Sequence, residues 1–224
     1  MKLKAAIRYQ AVELVQCAAV FCLVIGAIVL VVGLFSMANE AHFMVSAMGV
    51  LPYVFMPLLA LSVYAGDTGF LLRMGLARSQ VLASTAASFG AACLLLALVE
   101  AACAAVIPQW ALNQSLFLMG YGPQNGPLLD FLFMFLGCAA ASAVGLAFAA
   151  LQMRFGMRRV VFVVVAVFIV ATSQLNPWAI ADATSWLFGL APGASLANPF
   201  VFFVAVTALG LLVTWAASHR YEVR

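Results

Sequence analysis

Charge is what this chain most lacks. Asp, Glu, Lys and Arg together make up 8% of its 224 residues, whereas 67% are hydrophobic and the mean hydropathy is +1.16. A water-soluble domain carries roughly a quarter charged residues to cover its surface, so a soluble fold is excluded and lipid is the solvent. Lysine is confined to Lys2 and Lys4. A phosphate-binding loop needs glycines ahead of a lysine, so ATP binding by that route is excluded in this chain. Histidine is equally scarce. His42 and His219 are expected on opposite sides of the bilayer, where they cannot share a metal ion. Cys17, Cys22, Cys93, Cys103 and Cys138 lie in apolar stretches without paired spacing and read as packing residues. Gly193-Ala194-Ser195 lacks a following glycine, and no apolar run holds a histidine to meet the serine, which argues against an intramembrane serine protease. No catalytic motif, metal set or resident cofactor is expected, and the chain is not read as an enzyme.

What is present is a series of apolar runs. A helix needs about 20 such residues to cross a bilayer, and six runs qualify as candidate spans, at about 17–38, 44–65, 81–107, 128–151, 160–174 and 197–217, the fifth being the shortest. With six spans, every lysine and arginine falls on one side: Lys2, Lys4 and Arg8; Arg73 and Arg78; Arg154, Arg158 and Arg159; Arg220 and Arg224. That side carries a net +7 and the other, with Glu40, Glu100, Asp130 and Asp182, a net −4. The positive-inside rule then places both termini in the cytoplasm. Ser36-Met37-Ala38 resembles a signal cleavage site, but the run from Cys17 to Phe35 is span-length, which favours a retained first span.

Residues 1–16 fit either a short interfacial helix, with Leu3, Ala6, Ile7, Ala11, Leu14 and Val15 at helical spacing, or an ordinary basic flank. Glu100 is an acid well inside the third run. An ionisable group in lipid is costly, which raises a functional role, but the favoured reading is structural: Glu100 reaches the outer interface or hydrogen-bonds a neighbouring helix. Small residues recur every fourth position as Ala83, Ala87 and Ala91 on the third run and as Gly137, Ala141, Gly145 and Ala149 on the fourth, which predicts faces packed against protein. Val160 to Val170 is nearly all Val, Phe and Ile and is expected to face lipid. Pro52 and Pro57 should kink the second span.

The connection from Gly66 to Gln80 carries the most information. Asp67 or Thr68 can cap a helix, Phe70, Leu71, Met74 and Leu76 give an apolar side, and Arg73 and Arg78 are expected to reach water or a partner. A short helix lying along the cytoplasmic face is expected over 66–80, either to dock a soluble protein or simply as an interfacial helix. Outside, residues 108–127 read as a turn-rich loop. Residues 175–196 are apolar but too short to cross, which predicts a re-entrant or interfacial helix anchored by Trp178 and Trp186.

The run Phe70-Leu-Leu-Arg-Met-Gly-Leu-Ala-Arg-Ser-Gln80 after the second span resembles the first cytoplasmic loop of small six-span permeases of the ATP-binding-cassette type-2 family. The basic N-terminal segment and the apolar segment before the last span are similar to that family too. The resemblance covers most of the chain as architecture and about ten residues as motif. It implies an all-α integral membrane protein of the cell membrane, a single permease domain over 1–224 with six spans. Asp67, Phe70, Leu71, Arg73, Met74 and Arg78 would form the coupling helix that meets a separate cytoplasmic ATPase. It also implies a second permease subunit, identical or not, an export function, and ATP and Mg bound by the partner and not by this chain. Nucleic acid is not an implied partner. Trp178 to Leu190, with Trp186 and Phe188, would close the path on the outside. Two other classes fit the composition: a substrate-capture subunit of an energy-coupling uptake transporter, and a membrane scaffold that transports nothing.

Overall fold

The computed structural model describes residues 2–39, 49–106, 116–122, 125–174 and 177–219. In chain order the helices are α1 Lys2–Asn39, α2 Leu51–Arg73, α3 Arg78–Val106, α4 Leu116–Tyr121, α5 Gly126–Phe155, α6 Met157–Gln174, α7 Pro177–Leu187 and α8 Asn198–His219, and no strand occurs among the described residues. Five of them, α1, α2, α3, α5 and α8, are long and apolar enough to cross a membrane. The protein is therefore an all-helical, multi-pass membrane protein. The sixth expected span falls on α6, which is 18 residues long. Arg158 and Arg159 occupy its first turn and Thr172, Ser173 and Gln174 its last, leaving an apolar stretch well short of the roughly 20 residues a crossing needs. Among its described side chains α6 is exposed nearly all round, with Phe162 74% accessible.

The chain divides into two compact units, Met1–Met56 with Ala83–Ala139, and Pro57–Leu82 with Ala140–Arg224. In the first unit α1 runs unbroken through the boundary expected near residue 16. Ala6, Gln10, Leu14 and Ala18 are buried at four-residue spacing, so the first turns of α1 pack against protein along the same stripe that continues into the span. Gln10 sits in that stripe because α3 supplies partners. Ser84 Oγ donates to Gln10 Oε1 at 2.8 Å, Gln10 Nε2 donates to Thr85 Oγ1 at 3.4 Å, and Ser88 Oγ donates to the Ile7 carbonyl at 3.3 Å. Phe21 of α1 stacks on Phe55 of α2 with ring centroids 4.1 Å apart.

These partners turn α3 away from the expected small-residue face. Ser84, Thr85, Ser88, Ala92, Cys93 and Leu96 are buried, whereas Ala83 and Ala87 are exposed. In a bilayer the satisfied polar groups, and not the alanines, select the packed face. The stripe on α5 does pack. In the first unit Gly137 lies against the Tyr53 ring. In the second unit Gly145 lies against Pro57 and Ala60 of α2, and Ala149 is buried. Gly210 of α8 approaches the Ala143 backbone equally closely, so that a Cβ on Gly210 would stand 2.8 Å from Ala143 C. Glycine is needed at Gly145 and Gly210 because any side chain would push the backbones apart, whereas a side chain at Gly137 would meet only the Tyr53 ring.

Candidate functional site

The coupling segment expected over 66–80 is not a helix of its own. It divides into the last turns of α2, a four-residue turn and the start of α3. Gly75, with φ 79°, ends α2: its N–H donates to the Leu72 carbonyl at 3.0 Å and the Leu76 N–H to the Leu71 carbonyl at 3.2 Å. This is the Schellman arrangement, and its two apolar partners, Leu71 and Leu76, are both buried. On the far side, Gln80 Oε1 accepts from the Ala77 N–H at 3.1 Å, which caps α3 from its third residue. The sequence pattern suggested a separate helix because Phe70 to Leu76 is amphipathic. The glycine in the left-handed region instead turns the chain within a few residues, and Asp67 and Thr68 sit inside α2. Thr68 bonds back to the Tyr64 carbonyl, so it does not cap a helix.

The six residues expected to couple thus part company. Phe70 and Met74 are 49% and 59% accessible and Arg73 is exposed, whereas Leu71 is buried and Asp67 half-buried. Arg78 is half-buried and donates from Nη1 to the Ser218 carbonyl at the end of α8, 3.3 Å away. Arg154, near the end of α5, donates likewise to the Ala216 carbonyl at 3.5 Å and lies over the Phe155 ring. Two arginines therefore meet carbonyls that α8 leaves without helical partners, at its negative end. A cavity lined by Tyr64, Leu72, Arg78, Met153 and Ser218 lies between these elements. At about 20 Å³ it has room for about one water and none for a substrate.

The α5–α6 turn is tighter than the α2–α3 turn, a single residue long. Gly156, with φ 87°, ends α5, its N–H donating to the Gln152 carbonyl at 2.8 Å. Phe155, Met157, Arg158 and Arg159 are all exposed.

Beyond α6, the helix expected within 175–196 is present as α7. Gly189, φ 68°, closes it in a second Schellman arrangement, with Leu190 N–H on the Ser185 carbonyl at 2.8 Å. Phe188 packs edge-on against Phe202 and Phe203 of α8. Trp186 is exposed, and its carbonyl accepts from Asn198 Nδ2 at 3.0 Å. The Trp178 side chain lies outside the described residues, as do His42, Trp110, Arg220, Glu222 and Arg224. Ser195 Oγ accepts from the Ala197 N–H ahead of α8, a local turn role.

Glu100 is half-buried in the first unit and lies close enough to Asp130 and Tyr53 to interact electrostatically with both. Asp130 is 2% accessible. Sequence reasoning counted Asp130 as an external charge, although it lies inside the apolar run 128–151; that position was the available signal. Tyr53 Oη is buried with no hydrogen-bond partner among the described residues. Next to this level, Phe117 and Tyr121 of α4 pack on Phe133 of α5 at 5.3 and 5.9 Å. No group of three or more metal-ligating side chains occurs among the described residues.

No protein-family model, curated protein or solved structure matches the chain.

Proposed function

We propose that this chain is the permease subunit of an ATP-binding-cassette exporter in the cell membrane. It pairs with a second permease subunit to form the path and is driven by a separate cytoplasmic ATPase that binds ATP and Mg. One observation carries the reading. The α2–α3 turn is held by the Gly75 and Gln80 caps and by Arg78 on α8, yet it exposes Phe70, Arg73 and Met74. A rigid basic turn with apolar tips is suited to transmit force from a docked protein, since anchors in a groove supply interface energy and a fixed turn wastes none of it on ordering. Coupling is thus assigned to a turn, and Leu71 and Arg78 serve to brace it.

In this reading α6 is the sixth crossing despite its short apolar stretch, the bilayer thinning around it and Arg158 and Arg159 reaching toward headgroups at its cytoplasmic foot. Both termini are then cytoplasmic, and α7 closes the path outside. The test has two parts. On a cysteine-free background, cysteines at 73 and 158 should resist impermeant labelling from outside intact cells. The affinity-purified chain should bring down an ATP-binding-cassette ATPase directly. External labelling of either site, or recovery of an ATPase only through an intervening membrane scaffold, overturns the assignment; the second result is what a substrate-capture subunit gives.

A further inference from the structure

Exposure, composition and length together set α6 apart. Val161, Phe162, Val163, Val164, Val165 and Val167 are 38–74% accessible, and at about 100° per residue these six positions point to every side of the helix. In lipid, a helix packs against protein through small residues that let backbones approach, or through polar groups that bond across the contact. Gly145 of α5 against Pro57 shows the first, and Gln10 of α1 with Ser84 of α3 the second. Residues 160–171 offer neither. Seven valines, an isoleucine and two phenylalanines leave only Ala166 and Ala171, five positions apart and so on different faces.

The run is also short. Its twelve residues extend about 18 Å. Ser173 is tolerable in lipid because its hydroxyl donates to the Val170 carbonyl at 3.0 Å, yet counting through Ser173 brings the length only to about 21 Å, against a hydrocarbon core of about 30 Å. At the foot of the helix Arg158 and Arg159 are exposed, and no acid occurs in residues 154–174 to pair with them.

We infer that the occupant of this surface is phospholipid on every side, not a second copy or another subunit, and that the lipid shell there is thin and favours short acyl chains. Guanidinium groups match lipid phosphates in charge and geometry, and an apolar cylinder without a small-residue face matches acyl chains. Around a span shorter than the surrounding core the bilayer thins, at a cost that falls as the lipids shorten. The second permease subunit is thereby left to other helices. This rests on the reading that α6 crosses the membrane and is independent of ATPase docking.

Spin labels and lipid length test it in the full chain. On a cysteine-free background a nitroxide is placed singly at 163, 164, 165 and 167, in bilayers of dimyristoleoyl-, dioleoyl- or dierucoyl-phosphatidylcholine. Its relaxation by oxygen and by a water-soluble nickel complex is measured. Oxygen should dominate at all four positions, and on heating the folded unaltered chain should last at least about threefold longer in the shortest lipid than in the longest. T172L/S173L/Q174L lengthens the run by about 4.5 Å and should move the longest half-life to the dioleoyl lipid; if that variant does not fold, the lipid series on the unaltered chain decides. Oxygen shielding at any of the four positions assigns that side to protein and overturns the lipid cover. Oxygen contact with a half-life indifferent to acyl length, or with an optimum unmoved in the folded triple variant, overturns the thin shell and leaves α6 a crossing. Nickel access at all four positions overturns the inference together with the crossing on which it rests.

Discussion

Gly145→Ala adds a single methyl group where the fold leaves no room for one. A Cβ there would stand 2.6 Å from the Pro57 carbonyl oxygen, 2.7 Å from Pro57 Cα and 2.9 Å from Ala60 Cβ. Two of these are backbone atoms of a helix and cannot swing aside, so α2 and α5 must part by about 0.8 Å to restore ordinary contact, at a cost of about 1–3 kcal/mol. Gly26 in α1 is the internal control, because nothing lies within 4 Å of its Cβ position. There the same substitution removes only backbone freedom from the unfolded chain and stabilises by about 0.5–1 kcal/mol. The two variants should differ by about 1.5–4 kcal/mol, in opposite directions from the parent. Titration with a denaturing detergent from mixed micelles, followed by circular dichroism, reads the difference. Equal stability of the two variants, or a stabilised Gly145→Ala, refutes the close approach of α2 and α5.

The remaining expectations concern polar groups among the helices. Gln10→Leu removes the partner of Ser84 and Thr85 and should cost about 1–2 kcal/mol by the same titration, while adding Ser84→Ala should cost little more; full additivity would mean that the three do not act as a network. Tyr53→Phe removes a buried hydroxyl without a hydrogen-bond partner among the described residues and should leave stability equal or up to about 1 kcal/mol higher; a loss above 1 kcal/mol would show that the hydroxyl is bonded. Glu100 beside Asp130 should tolerate Gln better than Leu if its role is to hydrogen-bond within the bundle. Loss of transport in a folded, assembled Glu100→Gln would instead assign the acid to function.

Composition sufficed to establish the solvent and the helical class, because a helix is the economical way to satisfy backbone groups in lipid with so little charge. The stripe on α5 was legible for the same reason: glycine at four-residue spacing has few uses in a bilayer besides close packing. Other features were hidden by residue type. Gln10, Ser84 and Ser88 drew no attention in the sequence, since a satisfied hydrogen bond is a property of two distant segments and shows only when α1 and α3 are paired. Asp130 was counted with the external charges because it stands near the outer start of the fourth run, when its apolar neighbours Leu129 and Phe131 placed it inside a helix. The α2–α3 turn misled by amphipathicity. Phe70 to Leu76 suits an interfacial helix, but Gly75 in the left-handed region closes a Schellman turn, and the pattern of apolar residues alone does not reveal φ. Phe155 and Met157 carried no local signal; their exposure emerges only when α5 ends at Gly156.

The docking claim is tested most directly by ATP hydrolysis in nanodiscs holding the purified chain and the ATPase that co-purifies with it. Replacing Phe70, Arg73 and Met74 together by alanine should abolish stimulation of hydrolysis and reduce the ATPase retained at least tenfold, about 1.4 kcal/mol or more, with Phe70→Ala alone more damaging than Arg73→Ala. Because these side chains are exposed, the triple variant should unfold at the same detergent concentration as the parent. Undiminished stimulation and retention in the folded triple variant would contradict the account, leaving the turn as an interfacial feature without a partner.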